Sequence, residues 1–175
     1  MRLYWRPPGG EREIIPPHVL STATPVNGLV GSYYRGGDWA GEPVFKRIDP
    51  LVLLTCVRSL WEGRPSPDLQ GQPYSVKWAG YLRLGEAGDY TFQVESQSGG
   101  TAVYIDDRKV LEEPGRPYVL SVREARAGLQ KGWHQIEVRY SYQDGEFSGV
   151  GLYWIPPFGE REAVPPDVLY PSMDR

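Results

Sequence analysis

The stretch DYTFQVES, from Asp89 to Ser96, places Tyr90, Phe92 and Val94 on one face of an extended chain and polar side chains on the other. Alternation with a period of two residues is typical of a β-strand that buries one face and exposes the other to solvent. We therefore predict a half-buried strand here, and with it a fold in which at least one sheet covers a hydrophobic core.

Two later stretches show the same alternation. Residues 134–140 read HQIEVRY and residues 150–154 read VGLYW, with large apolar side chains at every second position. Because a single glycine-containing loop connects them, we predict that they form two strands of one hairpin.

Shorter runs bounded by Gly, Pro, Asp or Ser predict further strands. These are Leu29–Tyr34, Val76–Leu84, Ala102–Ile105, Arg108–Leu111 and Tyr118–Val122. Residues 49–61 contain the one helix-like apolar run, which fits a short helix and a buried strand equally well. The pattern predicts an all-β fold with little helix, an antiparallel two-sheet β-sandwich or squat barrel.

Composition narrows the class of protein. A chain of 175 residues, 40% of them hydrophobic, is long enough for one domain with a substantial core. The net charge of -3 argues against a nucleic-acid partner. The longest apolar run, residues 51–57, is too short to span a bilayer, and the first six residues do not resemble a signal peptide, so we expect no membrane segment.

The two ends of the chain carry an internal sequence repeat. Residues 3–20 read LYWRPPGGEREIIPPHVL, residues 152–169 read LYWIPPFGEREAVPPDVL, and 13 of the 18 positions are identical. We infer a tandem arrangement in which residues 1–22 are the last strand and tail of a preceding copy. Residues 23–27 are then a linker, residues 28–171 one full domain and residues 172–175 a tail.

Several motifs, in order and spacing, resemble the PA14 domain family. They include GLVGSYYRG from Gly28, YSVKWAGYLRL from Tyr74, GEAGDYTFQVES from Gly85 and GWHQIEVRY from Gly132. The family occurs in glycosidases, adhesins and bacterial surface proteins. The resemblance implies a β-sandwich of two packed antiparallel sheets and an extracellular or cell-surface location.

In the carbohydrate-binding members of that family, two neighbouring aspartates in the loop after the YTF strand hold a calcium ion that ligates the sugar. Here Gln97 and Ser98 stand at those positions. A neutral amide and a hydroxyl hold Ca²⁺ weakly, because this ion prefers several oxygen ligands that include carboxylates. Calcium is the one cofactor that the family suggests, and we predict no metal site.

The resemblance also points to a second sugar-contacting loop at residues 141–148, which offers an aromatic ring, amides and carboxylates. Trp39 and Trp61 lie beside glycines, so we predict that they are partly exposed, whereas Trp78, Trp133 and Trp154 are predicted in the core. The candidate ligand-binding residues are Gln97, Ser98, Gly99, Gln143, Asp144, Phe147 and Trp39.

No catalytic residues are predicted. Asp106 and Asp107 are adjacent and are interpreted as turn residues, because sequence neighbours at the end of a strand do not face each other across a cleft. His18 and His134 are far apart in the sequence, and Cys56 lies in an apolar run as a small core residue. We therefore predict that the chain is not an enzyme.

Three functions remain open. The first is an extracellular recognition or adhesion module that binds a glycan or a cell-surface polysaccharide. The second is a structural module in which residues 3–20 act as a donated strand and link molecules head to tail. Its candidate assembly residues are Leu3, Tyr4, Trp5, Val19 and Leu20. The third is an accessory domain of a carbohydrate-active enzyme.

Overall fold

The computed structural model describes residues 4–5, 13–14, 27–57, 69, 72–143 and 147–172. In chain order the strands are β1 (Tyr4–Trp5), β2 (Glu13–Ile14), β3 (Leu29–Arg35), β4 (Phe45–Asp49), β5 (Leu53–Val57), β6 (Tyr74–Leu84), β7 (Gly88–Gln97), β8 (Gly99–Ile105), β9 (Arg108–Glu113), β10 (Leu120–Leu129), β11 (Gly132–Tyr142), β12 (Phe147–Ile155), β13 (Glu162–Ala163) and β14 (Leu169–Tyr170). A 3₁₀ helix, Pro166–Val168, precedes β14. No helix in the described ranges is long and apolar enough to cross a membrane.

The strands form two large antiparallel sheets, which confirms the predicted β-sandwich. The first sheet has the order β4-β3-β6-β11-β8-β9, with β14 paired to β6. The second has the order β10-β7-β12-β13, with β5 paired to β12 beside β13. Strands β1 and β2 pair with each other in a separate two-stranded sheet.

The core lies between the two large sheets. Tyr90, Phe92 and Val94 of β7 and the alternate apolar residues of β11 and β12 are buried, as their period of two predicts. Trp78 and Trp154 are also buried. Trp133 is only half-buried, which corrects its placement in the core. It lies at the start of β11, where its ring makes an edge contact with Tyr170, with 4.9 Å between the ring centroids.

The predicted hairpin between β11 and β12 is wrong. Strand β11 pairs with β6 on one side and with β8 on the other, so it has no free edge for β12. Strand β12 lies in the opposite sheet, between β7 on one side and β5 and β13 on the other. The connection after Gln143 therefore crosses from one sheet to the other.

Other boundaries also differ from the sequence-based expectation. Within the ambiguous run of residues 49–61, Leu53–Val57 form strand β5, which pairs with β12. The strand predicted at 118–122 begins at Leu120 and continues to Leu129. Strands β4, β13 and β14 are not predicted by the sequence pattern, since β13 and β14 are only two residues long and β4 has two adjacent exposed charged residues, Lys46 and Arg47, that break the alternation.

The interpretation of Asp106 and Asp107 as turn residues is confirmed. Both have left-handed backbone angles, with φ of 49° and 61°, in the tight turn between β8 and β9. Aspartate tolerates this conformation better than most residues. The Asp106 carboxylate also accepts a hydrogen bond from the Gln135 amide at 2.9 Å and contacts Nδ1 of His134 at 2.6 Å. This aspartate therefore ties the turn to β11.

A buried carboxylate joins β3, β4 and β6. Asp49 accepts hydrogen bonds from the Tyr33 hydroxyl, from Trp78 Nε1 at 2.8 Å and from Arg47 Nε at 2.6 Å. A Cβ at Gly31 would overlap the Asp49 carboxylate, so glycine leaves room for it within the sheet. Burial and the adjacent Asp49 raise the pKa of Tyr33 far above its ordinary range, which keeps this hydroxyl protonated as a donor.

Candidate functional site

A cavity of about 350 Å³ lies where the β3–β4 connection, the β7–β8 turn and the β9–β10 connection meet the end of β11. Of the predicted ligand-binding residues, Trp39, Ser98, Gly99 and Gln143 line it. They come from three separate parts of the sequence, and the fold brings them to one place.

The remaining predicted site residues lie elsewhere. Gln97 lines a different groove, on the outer face of the second sheet, because successive residues of a strand point to opposite sides. Phe147 begins β12, where it pairs with Val57. Asp144 lies outside the described residues, as do Trp61 and three of the assembly residues, Leu3, Val19 and Leu20. Tyr4 and Trp5 form β1.

Trp39 is held in one orientation. Its indole Nε1 donates to the Val76 carbonyl at 3.0 Å, and its backbone amide donates to the Ser75 hydroxyl at 3.1 Å. The side chain is half-buried, as predicted, and the Arg139 guanidinium lies 6.0 Å from the ring. A fixed and partly exposed aromatic ring is suited to contact the apolar face of a sugar.

Ser98 has a structural role in the turn between β7 and β8. Its backbone is left-handed, with φ of 53°, and its side chain is buried. The Ser98 hydroxyl accepts a hydrogen bond from the Tyr118 amide at 3.1 Å, and the Ser98 amide donates to the Val119 carbonyl at 3.1 Å. These bonds fix the turn to the β9–β10 connection and leave the hydroxyl facing the protein.

Two glycines allow the walls of the cavity to approach each other. A Cβ at Gly115, where φ is 77°, would overlap the backbone of Gly99 and Gly100. A Cβ at Gly99 would overlap the ring of Tyr140, whose hydroxyl donates to the Gln97 carbonyl at 2.9 Å. The cavity wall at this point therefore carries no side chains, so a ligand can approach the backbone closely.

Gln143 forms another part of the cavity lining. It is exposed and packs over Gly37, where a Cβ would lie 3.3 Å from the Gln143 Cγ. The neighbouring Ser141 hydroxyl donates to the Gly37 carbonyl at 2.6 Å and so fixes the β3–β4 connection to β11. The Gln143 amide can both donate and accept hydrogen bonds at the cavity.

The buried Glu113 is a feature that the sequence analysis missed. Its side chain is 1% exposed, and its two oxygens accept hydrogen bonds from the Gly115 amide at 3.1 Å and from Arg123 Nε at 2.8 Å. Burial opposes ionisation, but these donors and Ser121 outweigh it and lower the pKa of Glu113. The only sequence signal was an acidic residue directly before the Pro-Gly turn of the β9–β10 connection.

The donors at this cavity do not fit calcium. The carboxylates that line it within the described part of the chain are Glu112 and Glu113, and each pairs with a cation, Lys109 or Arg123. No group of three or more His, Cys, Asp or Glu side chains that could hold a metal ion occurs among the described residues. The site instead offers an aromatic ring, an amide, a guanidinium and backbone polar groups, which suit a neutral polar ligand.

Three comparisons place the chain among known proteins. It is 27% identical over 169 residues to the anti-sigma-I factor RsgI3 of Acetivibrio thermocellus, a match that covers 93% of this chain and 25% of that protein. The fold matches the PA14 sugar-binding domain of an RTX adhesin with a TM-score of 0.69 and 19% identity, covering 83% of this chain and 99% of that domain. It also matches part of the β-glucosidase of Kluyveromyces marxianus with a TM-score of 0.55 and 18% identity, covering 73% of this chain and 15% of that enzyme.

The chain spans a quarter or less of the length of the curated relatives it matches. The family model described as the PA14 domain matches residues 25–167, which is most of the chain and includes every strand from β3 to β13. The motifs, the two-sheet topology and this match agree, and the chain belongs to the PA14 domain family.

Proposed function

We propose that this chain is a non-catalytic carbohydrate-recognition module of a longer extracytoplasmic protein, and that it binds its glycan without calcium. The observation that carries the proposal is the shared cavity, where Trp39, the Gly99 backbone and Gln143 meet. A ring for the apolar face of a sugar, together with amide and backbone groups for its hydroxyls, is a combination that suits carbohydrate. The sugar-binding adhesin domain with the same fold supports this choice.

Chemistry on the bound sugar is not part of the proposal. A glycosidase needs two carboxylates about 5 to 10 Å apart across the bond to be broken, one of them able to donate a proton. The carboxylates that line this cavity in the described part of the chain are both held by cations, and Glu113 has a lowered pKa, which is opposite to what an acid catalyst needs.

Substitution of Trp39 tests the proposal. The full chain is screened against an array of neutral and acidic oligosaccharides, and the strongest binder is titrated by calorimetry. We expect Trp39→Ala to weaken the affinity about tenfold or more. A stacking contact that contributes roughly 1.4 kcal/mol to binding corresponds to a tenfold change in affinity. Gln143→Ala is expected to weaken it less, because one hydrogen bond contributes about 1 kcal/mol.

Two controls keep the result specific. Gln135→Ala removes an exposed glutamine on β11 that lies outside the cavity and should leave the affinity unchanged. A chelator should also leave it unchanged, because the carboxylates that line the cavity in the described ranges, Glu112 and Glu113, are paired with cations. Absence of binding across the array, or binding that Trp39→Ala does not alter, would contradict the proposal.

A second candidate function is self-assembly through the N-terminal segment. In β1 and β2, Tyr4 pairs with Ile14 and Trp5 with Glu13. In β12 and β13, the repeat-related residues pair in the same register, Tyr153 with Ala163 and Trp154 with Glu162. The sequence duplication thus extends to strand pairing, which favours our interpretation of residues 1–22 as the terminal element of a preceding copy.

The relative RsgI3 supports the same interpretation. Its match to 93% of this chain is longer than the family region and must include part of the N-terminal segment. We infer that the longer protein carries PA14 domains in tandem, with residues 23–27 as linker and 28–171 as one domain.

Light scattering coupled to size-exclusion chromatography separates the two candidates. If residues 3–20 act as a donated strand, the full chain forms oligomers that grow with concentration, and a shortened chain beginning at Asn27 is a monomer. If both chains are monomers at every concentration, strand donation is wrong and the carbohydrate-recognition proposal is unaffected.

A further inference from the structure

The β7–β8 turn forms one wall of the carbohydrate cavity, to which it contributes residues 98–101. The two glycines of this wall have no side chains that could fix it, and glycine loses more conformational freedom on folding than any other residue. Other groups must therefore hold the turn if it is to keep one conformation. Three buried hydroxyl groups lie on its inner side, those of Ser96, Thr101 and Tyr140.

Ser96 and Thr101 hold the turn from its two ends. The Ser96 hydroxyl donates to the Gly99 carbonyl at 2.6 Å, and its oxygen lies 2.9 Å from the Thr101 hydroxyl. A hydroxyl group has a single proton, so the Thr101 hydroxyl is the donor in the second bond. Both side chains are buried, which shields these bonds from water. Because β7 and β8 belong to different sheets, the bond between Ser96 and Thr101 also joins the two sheets below the cavity wall.

Tyr140 links the same turn to both sheets. It belongs to β11 of the first sheet and is fully buried. Its hydroxyl reaches the second sheet, where it donates to the Gln97 carbonyl at 2.9 Å and accepts a bond from the Gly149 amide at 3.0 Å. Gln97 and Gly149 lie opposite each other on β7 and β12, so the hydroxyl closes the end of that strand pair. The Tyr140 ring packs against Gly99, where a Cβ would overlap it. One side chain therefore contacts both neighbours of Ser98.

A second contact between the sheets supports Tyr140. The Tyr74 hydroxyl, on β6 of the first sheet, lies 3.0 Å from the Ser148 hydroxyl on β12 of the second. The Tyr74 ring also meets the Tyr140 ring edge-on, with 6.1 Å between the centroids. Edge-to-face contacts between aromatic rings are favourable. Neighbours on both sheets thus hold the Tyr140 hydroxyl in its place between β7 and β12.

We propose that Tyr140 and Ser96 are positioning residues for glycan binding, whose hydroxyls hold the wall at Gly99 and Gly100 in its binding conformation before the glycan arrives. The inference rests on the carbohydrate-recognition function proposed above. A wall that is already ordered loses little conformational freedom on binding, and such preorganisation raises affinity. Neither residue is among the described residues that line the cavity, so each acts through the wall and does not touch the glycan. The hydroxyls are neutral, so this way of ordering the wall does not depend on a metal ion.

Removal of one hydroxyl at a time tests the proposal by calorimetry with the strongest array binder. We expect Tyr140→Phe and Ser96→Ala each to weaken the affinity about two- to tenfold, the effect of one additional group that must be ordered on binding. Tyr90→Phe is the matched control, because the Tyr90 hydroxyl also donates to a backbone carbonyl, that of Glu86 at 3.0 Å, but lies at the other end of β7. The affinity of this control should equal that of the unaltered chain.

Amide hydrogen exchange without glycan separates positioning from general stability. Relative to the amides of β6, exchange at residues 98–100 should be faster in Tyr140→Phe and Ser96→Ala than in Tyr90→Phe. If Tyr140→Phe does not fold, Ser96→Ala, which removes a single oxygen atom, gives the answer alone.

Two kinds of failure can be told apart. If Trp39→Ala weakens binding but both hydroxyl variants bind like the unaltered chain, or if their exchange at residues 98–100 matches that of Tyr90→Phe, the positioning role is wrong and the carbohydrate-recognition function stands. If the unaltered chain binds no glycan, or Trp39→Ala has no effect, that function fails and the positioning role fails with it.

Discussion

Asp49→Ala is expected to lower the free energy of unfolding by about 2–6 kcal/mol, the sum for two buried donors that lose their acceptor. The substitution leaves the buried donors of Tyr33 and Trp78 without their shared acceptor. Each unpaired buried donor costs about 1–3 kcal/mol. Arg47, whose side chain is 45% exposed, can turn to solvent and adds less. Urea unfolding followed by circular dichroism measures the change.

Two further variants show whether the carboxylate or the general packing is responsible. Asp89→Ala removes an exposed carboxylate at the start of β7 and is expected to change stability by less than about 0.5 kcal/mol. Gly31→Ala adds a methyl group where Asp49 lies, and it should destabilise the fold although every polar group is retained. An Asp49→Ala protein as stable as the Asp89→Ala protein would show that the network contributes little.

Glu113→Ala is expected to lower stability by about 2–4 kcal/mol, because the substitution leaves Arg123 and the Gly115 amide without their acceptor. This carboxylate fixes the β9–β10 connection, which forms one wall of the cavity. We therefore expect glycan affinity to fall as well, although Glu113 itself is buried. Glu112→Ala is the matched control for stability, since the Glu112 carboxylate is exposed and forms its ion pair with Lys109.

The pH dependence of unfolding gives Glu113 a signature of its own. Folding lowers the pKa of this carboxyl, so its ionised form adds stability above the ordinary glutamate pKa of about 4.3. That contribution is lost as the pH falls through the lowered value. Glu113→Gln should therefore differ most from the unaltered chain above about pH 4.3, and the difference should shrink in acid. A difference that stays constant with pH would contradict the assignment.

The strands that could be predicted are those in which burial of one face leaves a repeating pattern in the sequence. In β7, β11 and β12 one face meets the core, so the alternation itself identifies the strand. The pairing of strands is different, because the alternation of one strand does not depend on which sheet it joins. That is why β11 and β12 were identified correctly as strands and wrongly as a hairpin. Strand β4 was missed because its adjacent exposed residues Lys46 and Arg47 break the alternation.

The site could be predicted only in part, because the family resemblance supplied two loops and the neighbouring glycines supplied Trp39. Trp39 and Gln143 are more than 100 positions apart, and their meeting depends on the sheet order and not on any local pattern. Ser98 was expected to face a ligand, but its hydroxyl holds Tyr118, a contact set by the left-handed turn. Glu113 was missed because its burial depends on Arg123, a residue of another strand.

The most direct test of carbohydrate recognition is to locate the bound sugar. Amide spectra of the isotope-labelled full chain are recorded with increasing amounts of the strongest array binder, in the presence of a chelator. Our account predicts shifts concentrated at Gly99, Gly100 and Gly115 and at the indole of Trp39, with little change at Gly149 and Gly151. Shifts confined to the outer face of the second sheet, or shifts that require calcium, would contradict the account.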